Sequence, residues 1–148
     1  MDINVEGLTE LKTKLDKFES NILTKQNINQ VAVMIKNNIF VRTNAGKDAD
    51  FKPFKPYSKK YAKKEQKTTV NLTLTGEMLN AMTFKSLSND KAKIFFSTKS
   101  AREKAFTHNA NGRPIREFFG VNEKDEKEAL KLYRKEIKRV QEEIKLWV

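Results

Sequence analysis

The sequence predicts an α+β fold in which a small antiparallel sheet packs with N-terminal helices and a long C-terminal helix. Near the N-terminus, apolar residues recur every three or four positions in two stretches, which predicts two helices. Alternating apolar and polar residues on both sides of a turn predict a hairpin near residues 81–97. A third apolar stripe near the C-terminus predicts the long helix. With 148 residues, the chain is expected to form a single domain over 1–148.

The N-terminal third predicts one strand and two helices. Residues 2–6 alternate apolar and polar side chains, a pattern typical of a short edge strand that would join the hairpin in the sheet. Leucine, phenylalanine and isoleucine then recur at helical spacing from Leu8 to Ile22, and a second stripe runs from Ile28 to about Arg42. Both stripes are more typical of a buried core than of a binding surface.

A basic and aromatic loop is expected over residues 44–58, and we call it the basic loop. Pro53 and Pro56 disfavour helical geometry in the residues before them. Residues 47–67 contain eight basic and three acidic side chains. Aromatic rings set between cations can form a platform for single-stranded nucleic acid. The simpler interpretation, which we favour, is that the rings pin the loop to the body while the lysines stay in water. A short helix is expected from about Ser58.

The middle of the chain predicts a short capped helix followed by the hairpin. Thr75 can cap a helix, and Glu77 suits the positive end of that helix. Alternating residues over 82–86 and 92–96 flank a Ser-Asn-Asp sequence that favours a turn. These two segments are therefore expected to pair as antiparallel strands.

The stretch from 101 to 125 contains the single histidine and links the hairpin to the last helix. A helix is expected over 99–111, because Asn-Gly is a favoured helix end at Gly112. An extended segment, which we call the strap, is expected over 109–121. It would cross the surface and dock through two phenylalanines, either to hold the last helix on the body or to reach a neighbouring subunit.

The C-terminal helix is expected over 122–148, with Asn122 as its N-cap. Its apolar positions run from Leu130 to Trp147 at strict spacings of three and four, which is narrower than a core-facing stripe. Packing on its own domain is the favoured interpretation, and contact with a copy in a neighbouring subunit is the alternative.

Several function classes find no support in the residues. The absence of cysteine excludes disulfides and thiolate chemistry and fits a reducing cytoplasm. The acidic start is unlike a signal peptide, and no apolar run approaches the ~20 residues of a membrane span. We therefore expect a soluble, unexported protein with no membrane partner. His108 lacks a second histidine, a cysteine or a serine elbow, and the glycines are isolated, so no enzyme, metal or cofactor is predicted.

The net charge of +11 favours nucleic acid, a membrane surface or an acidic protein as a partner, and the charge alone does not choose among them. Only six of the 30 basic residues are arginines. Because arginine is preferred for bidentate contacts with guanine and phosphate, the excess of lysine is weak evidence for sequence-specific DNA recognition.

Four segments share their order and spacing with one known family. They are Val5-Glu6-Gly7-Leu8-x-x-Leu11, Phe54-Lys55-Pro56-Tyr57-Ser58-x-x-Tyr61-Ala62-x-Lys64, Leu72-Thr73-Leu74-Thr75-Gly76-Glu77-Met78-Leu79, and Ala105-Phe106-Thr107-His108-Asn109-x-x-Gly112 leading to Pro114-x-Arg116-Glu117-Phe118-Phe119-Gly120-Val121. Together they resemble the phage virion morphogenesis family, the tail-completion and head–tail joining proteins of Mu-like phages and prophages. Phe54 stands where the family usually has tryptophan, which leaves tail terminator and neck protein both open.

The resemblance implies a non-enzymatic structural protein that completes or terminates a phage tail, or forms the neck ring joining tail to head. It implies assembly in the bacterial host cytoplasm, a place in the virion, a homo-oligomeric ring that is a hexamer, and other tail or neck proteins as partners. Assembly or partner contacts are expected of Phe51, Phe54, Tyr57, Arg113, Arg116, Phe118 and Phe119. Weak, non-specific contact with DNA in a channel, or with an acidic partner, is expected of Lys59, Lys60, Lys63 and Lys64. The alternative function is a small basic DNA-binding protein that uses the lysine and aromatic loop.

Overall fold

The computed structural model describes residues 5–73 and 75–145 and confirms the α+β fold. A two-stranded antiparallel sheet packs with helices, and a long helix ends the described chain. The elements are α1 (Val5–Ile22), α2 (Lys25–Asn44), α3 (Lys59–Glu65), α4 (Glu77–Asn80), β1 (Met82–Ser86), β2 (Ala92–Phe96), α5 (Lys99–Phe106) with a π-helical turn at Thr107–Asn111, and α6 (Glu123–Lys145).

The first helix begins earlier than its sequence pattern predicted. Val5 and Glu6, the end of the strand expected over 2–6, are already helical, and residues 2–4 lie outside the described residues. Val5 lies three positions before Leu8, so it continues the helical stripe as well as it fits the alternation. Within the described residues the sheet therefore contains only the two strands of the hairpin.

The predicted hairpin is confirmed, with β1 and β2 paired so that Met82 lies opposite Phe96. Met82 is 4% exposed and Phe96 is 6% exposed, so the two residues at the open end of the hairpin belong to the core. The turn is closed by the backbone amides of Leu87 and Ser88, which both donate to the carbonyl of Lys91. Alternation along the strands thus directs one face of the hairpin towards α2.

The core lies where α2, the hairpin, α5 and the strap meet. Ile39 of α2, Leu79 of α4 and Ala101 of α5 are each at most 2% exposed, and Phe118 of the strap has no exposed surface. The Phe118 ring contacts the Phe96 ring edge-on, with the two ring centres 6.2 Å apart. Full burial of such side chains contributes about 1.5–3 kcal/mol each, which fixes the strap to the body of the domain.

The long helix α6 lies against α1 and α2. Val140 is completely buried, which confirms that α6 packs on its own domain. The apolar stripe that begins at Leu130 is not buried along its whole length, however, because Leu130 is 54% exposed. Trp147 lies outside the described residues. In the segments 5–73 and 75–145, none of the helices has the length and hydropathy that a membrane span requires.

Candidate functional site

The strap lies on the basic loop, so two segments that are far apart in sequence form one unit. The Ala49 amide donates to the Glu117 carbonyl at 2.7 Å, and the Asn122 side-chain amide donates to the Ala49 carbonyl at 2.7 Å. At the other side of the strap, the Asn109 side chain accepts from the Phe119 amide at 2.9 Å and donates to the Phe119 carbonyl at 3.3 Å. The first three strap residues, 109–111, are part of the π-helical turn rather than extended.

Arg116 connects the two segments through its side chain. Its Nε donates to the Lys55 carbonyl at 3.0 Å and its Nη2 donates to the Pro56 carbonyl at 3.1 Å. The guanidinium carbon lies 5.0 Å from the centre of the Tyr57 ring. The residue is 8% exposed. A buried cation is tolerated only when it is hydrogen-bonded. The carbonyls of Lys55 and Pro56, at the proline-rich end of the basic loop, accept these hydrogen bonds.

A half-enclosed pocket of about 340 Å³ opens beside this contact, and we call it the Arg116 pocket. Two tyrosines, two arginines and the single histidine share its wall with smaller residues. The lining residues are Tyr57, Ser58, Tyr61, Leu72, His108, Arg113, Pro114 and Arg116. Among the residues that the structure describes, no carboxylate belongs to this lining, so the pocket is electropositive.

Part of the hydrogen-bonding capacity of the two pocket arginines has no acceptor among the described residues. Arg116 uses Nε and Nη2 for the basic loop, and its Nη1 is neither bonded to protein nor sealed from solvent. Arg113 is exposed, and its guanidinium makes no hydrogen bond or ion pair with the described part of the chain. Hydrogen-bonding capacity of this kind is normally satisfied by water or by a ligand.

Burial changes the ionisation of two further pocket residues. Burial, with a smaller contribution from the charge of Arg116, lowers the pKa of His108 below its usual 6.5. Burial raises the pKa of the Tyr57 hydroxyl, an effect opposed by a hydrogen bond with the backbone of Leu72 and by Arg116. At neutral pH the imidazole is therefore uncharged, and one of its nitrogens can donate while the other accepts.

The phenylalanines expected at a partner contact lie mostly inside the domain. Phe54 is 7% exposed and Phe118 is completely buried, so this chain itself covers both side chains. Phe119 is half-buried against the same core. Phe51 is 39% exposed, with the Lys124 ammonium 5.4 Å from its ring centre. The interpretation that the rings pin the basic loop to the body is thus confirmed for Phe54.

Of the expected contact residues, Tyr57, Arg113 and Arg116 come together in the lining of the Arg116 pocket. Their neighbour Tyr61, which belongs to the second family-like segment, was not among the expected contact residues, and its ring centre is 4.8 Å from that of Tyr57. The signal was present, because the two tyrosines are four positions apart and Ser58 caps α3 by accepting from the Tyr61 amide at 3.2 Å.

The expected basic cluster lies on α3. Lys59, Lys60, Lys63 and Lys64 are all exposed. Only Lys64 has a described acidic neighbour, Glu65, at 3.9 Å. Like charges four positions apart on a helix destabilise it slightly. The stability of α3 therefore does not explain why these four lysines are clustered.

Other features of the surface are less suited to a specific site. An open groove of about 970 Å³ lies between α2 and α6, where Val33 and Leu132 face polar residues and charges of both signs. It contains none of the expected contact residues. Within residues 5–73 and 75–145, no group of three or more histidine, aspartate or glutamate side chains could hold a metal ion.

Comparisons with protein-family models, with curated proteins and with solved structures found no match to this chain. The resemblance to the phage virion morphogenesis family therefore rests on the four sequence segments. Three of those four segments supply residues to the Arg116 pocket.

Proposed function

We propose that the chain is a structural subunit of a tailed phage or prophage, which completes or terminates the tail or forms the neck ring that joins tail to head. The convergence of three family-like segments at the Arg116 pocket carries this proposal. These segments lie up to about sixty positions apart in the sequence, yet they form one structural unit. The family-like pattern therefore agrees with the way the chain folds. The proposed role is non-enzymatic and belongs to the assembled virion.

A ring subunit needs two different surfaces, so that one surface of each subunit contacts the other surface of its neighbour around the ring. The strap offers exposed apolar residues for such a contact, because Ile115 is 46% exposed and Val121 is 56% exposed. These lie on the same segment as the exposed Arg113. We propose that the strap faces a neighbouring subunit or a tail protein in the ring.

Native mass measurement combined with negative-stain images of the purified chain tests the proposal. A closed ring, a hexamer by family resemblance, is the expected result. Ile115→Asp should reduce ring formation, whereas Leu87→Asp at the hairpin turn, where Leu87 is 58% exposed, should not. If the ring forms only on tails, the same two variants are compared in a phage that lacks the wild-type gene. A monomer whose loss leaves tail length and head attachment unchanged contradicts the proposal.

A second candidate, a small basic DNA-binding protein, is favoured by the four exposed lysines of α3. Binding to duplex and single-stranded DNA should be measured over a range of salt concentrations, because phosphate contacts weaken steeply as salt rises. Tight binding at physiological ionic strength that is lost when Lys59, Lys60, Lys63 and Lys64 are changed to Glu favours this candidate. Weak binding favours the assembly role, in which DNA only passes through a channel.

A further inference from the structure

We infer that the Arg116 pocket binds a carboxylate group presented by an acidic segment of a partner protein. The charge of the pocket is the first reason. Arg113 and Arg116 both line it, and no acidic side chain from the described part of the chain does so. The nearest acidic residue in sequence, Glu117, is exposed and does not line the pocket. An anion would therefore meet two guanidinium groups without a competing carboxylate.

The fixed position of Arg116 is the second reason. Two of its nitrogens are held by the carbonyls of Lys55 and Pro56, which orients the guanidinium plane before any ligand arrives. Its remaining amino group, Nη1, has no protein acceptor in the described part of the chain. A preorganised donor loses less conformational entropy on binding than a free side chain does. Arg113, which is exposed, can then close on the same anion.

The size and composition of the pocket favour a single small group with an aliphatic stem. A volume of about 340 Å³ is at the lower end of ligand pockets. Leu72 and Pro114 give part of the wall an apolar character, which suits the methylene groups of a glutamate side chain. His108 and the tyrosine hydroxyls add uncharged hydrogen-bonding groups around the carboxylate.

The same features argue against nucleic acid as the occupant. The Tyr57 ring is already in contact with the Tyr61 ring, at 4.8 Å between centres, and with the Arg116 guanidinium at 5.0 Å, so it is not a free platform for a base. Each strand of a DNA duplex carries a phosphate about every 3.4 Å along the helix axis, and binding it needs a track of cations. Among the described residues, Arg113 and Arg116 are the two cations that line this pocket.

Titration with hexaglutamate tests the inference, and the single histidine gives an unambiguous reporter. The ring signals of His108 should shift in a saturable manner when the peptide is added, as followed by NMR. Arg113→Gln should weaken this binding by about tenfold, the effect of losing one charged hydrogen bond. The Arg113 guanidinium makes no hydrogen bond or ion pair with the described residues, so the variant should keep its unfolding midpoint. Hexaglutamate with an amidated C-terminus distinguishes side-chain carboxylates from the terminal one.

Arg134→Gln is the matched control, because Arg134 is an exposed arginine on α6 that lies outside the pocket and has no described partner. Its affinity for hexaglutamate should stay close to that of the wild type. Equal weakening in both variants would show a general charge effect and overturn the inference. So would an unchanged His108 signal, or a thymidine oligonucleotide that shifts this signal at lower concentration than the peptide. Binding of the peptide and formation of the ring are measured in separate experiments. Carboxylate binding at the Arg116 pocket therefore does not depend on the proposed role in the virion.

Discussion

Arg42 and Asp125 form an ion pair that the protein encloses almost completely. Arg42 Nη1 lies 2.8 Å from Asp125 Oδ2, and the two side chains are 2% and 1% exposed. The Asn38 side-chain amide donates to the other Asp125 oxygen at 2.9 Å, and the second amino group of Arg42 donates to the Gly120 carbonyl. The pair therefore fastens the end of the strap and the start of α6 to α2.

Asp125→Ala should destabilise the fold strongly. Removing one partner of a buried ion pair leaves the other charge uncompensated and costs about 3–5 kcal/mol. Asp125 also caps α6, because it accepts from the Asn122 amide at 3.1 Å, and the Asn122 side chain accepts from the Asp125 amide at 2.9 Å. Urea unfolding followed by circular dichroism measures the loss of stability.

The double variant Arg42→Met with Asp125→Leu is the informative comparison for this pair. It should be more stable than Asp125→Ala, because no buried charge remains. Arg139→Gln removes an arginine whose ion pairs with Glu136 and Glu143 lie at the surface, and its unfolding midpoint should stay near that of the wild type. If Asp125→Ala behaves like Arg139→Gln, the buried pair does not hold the domain together.

The sequence predicted the helices and the hairpin well because each has a strong local signal. The stripes of α1 and α2, and the alternation on both sides of the Ser-Asn-Asp turn, depend on neighbours in the chain. The strand predicted over 2–6 was wrong at Val5 and Glu6, because Val5 fits the alternation of a strand and the stripe of a helix equally well. The Asn122-x-x-Asp125 spacing was visible as well, but only the structure shows that Asp125 also meets Arg42, 83 residues away.

The candidate site was less predictable because it depends on contacts between distant segments. Arg113 and Arg116 were expected at an assembly or partner contact, yet Arg116 is buried against two carbonyls about sixty residues earlier in the chain. No periodicity indicates such a contact. Phe118 was expected either to hold the last helix on the body or to reach a neighbour, and its complete burial favours the first of these.

Phe118→Ala should destabilise the chain by about 3–5 kcal/mol, since it creates a cavity at a fully buried aromatic residue. Thermal unfolding of the purified variant measures this effect. Phe106→Ala is the matched control, because Phe106 is 62% exposed and its truncation should leave the unfolding temperature almost unchanged. A Phe118→Ala chain that is as stable as the control but no longer assembles would show instead that Phe118 serves a partner contact.

Arg116→Lys should loosen the contact between the strap and the basic loop. Lysine keeps the charge but cannot donate to the Lys55 and Pro56 carbonyls with the geometry of a guanidinium. The Ala49 amide, which donates to the Glu117 carbonyl, should then exchange with deuterium about tenfold faster or more. Arg134→Lys serves as the control and should leave this amide protected. Unchanged exchange in Arg116→Lys would mean that the other hydrogen bonds suffice to dock the strap.

His108 should make the free energy of unfolding depend on pH below 6.5, the usual pKa of histidine. Burial and the charge of Arg116 lower the pKa of His108 in the folded chain, whereas the unfolded chain titrates near 6.5. Above this value both states are neutral and the contribution to stability is fully present. As the pH falls below 6.5 towards the folded pKa, the unfolded chain binds a proton that the folded chain does not, so the free energy of unfolding decreases.

Urea unfolding at pH 7.5 and pH 5.5, for the wild type and for His108→Gln, isolates this contribution because the variant retains every other titrating group. The decrease in stability between the two pH values should be smaller in His108→Gln, whose side chain cannot be protonated in this range. An equal decrease in both proteins would show that His108 is as easily protonated in the folded chain as in the unfolded one. That result would also mean that the imidazole is well solvated, and that the Arg116 pocket is more open than its lining residues indicate.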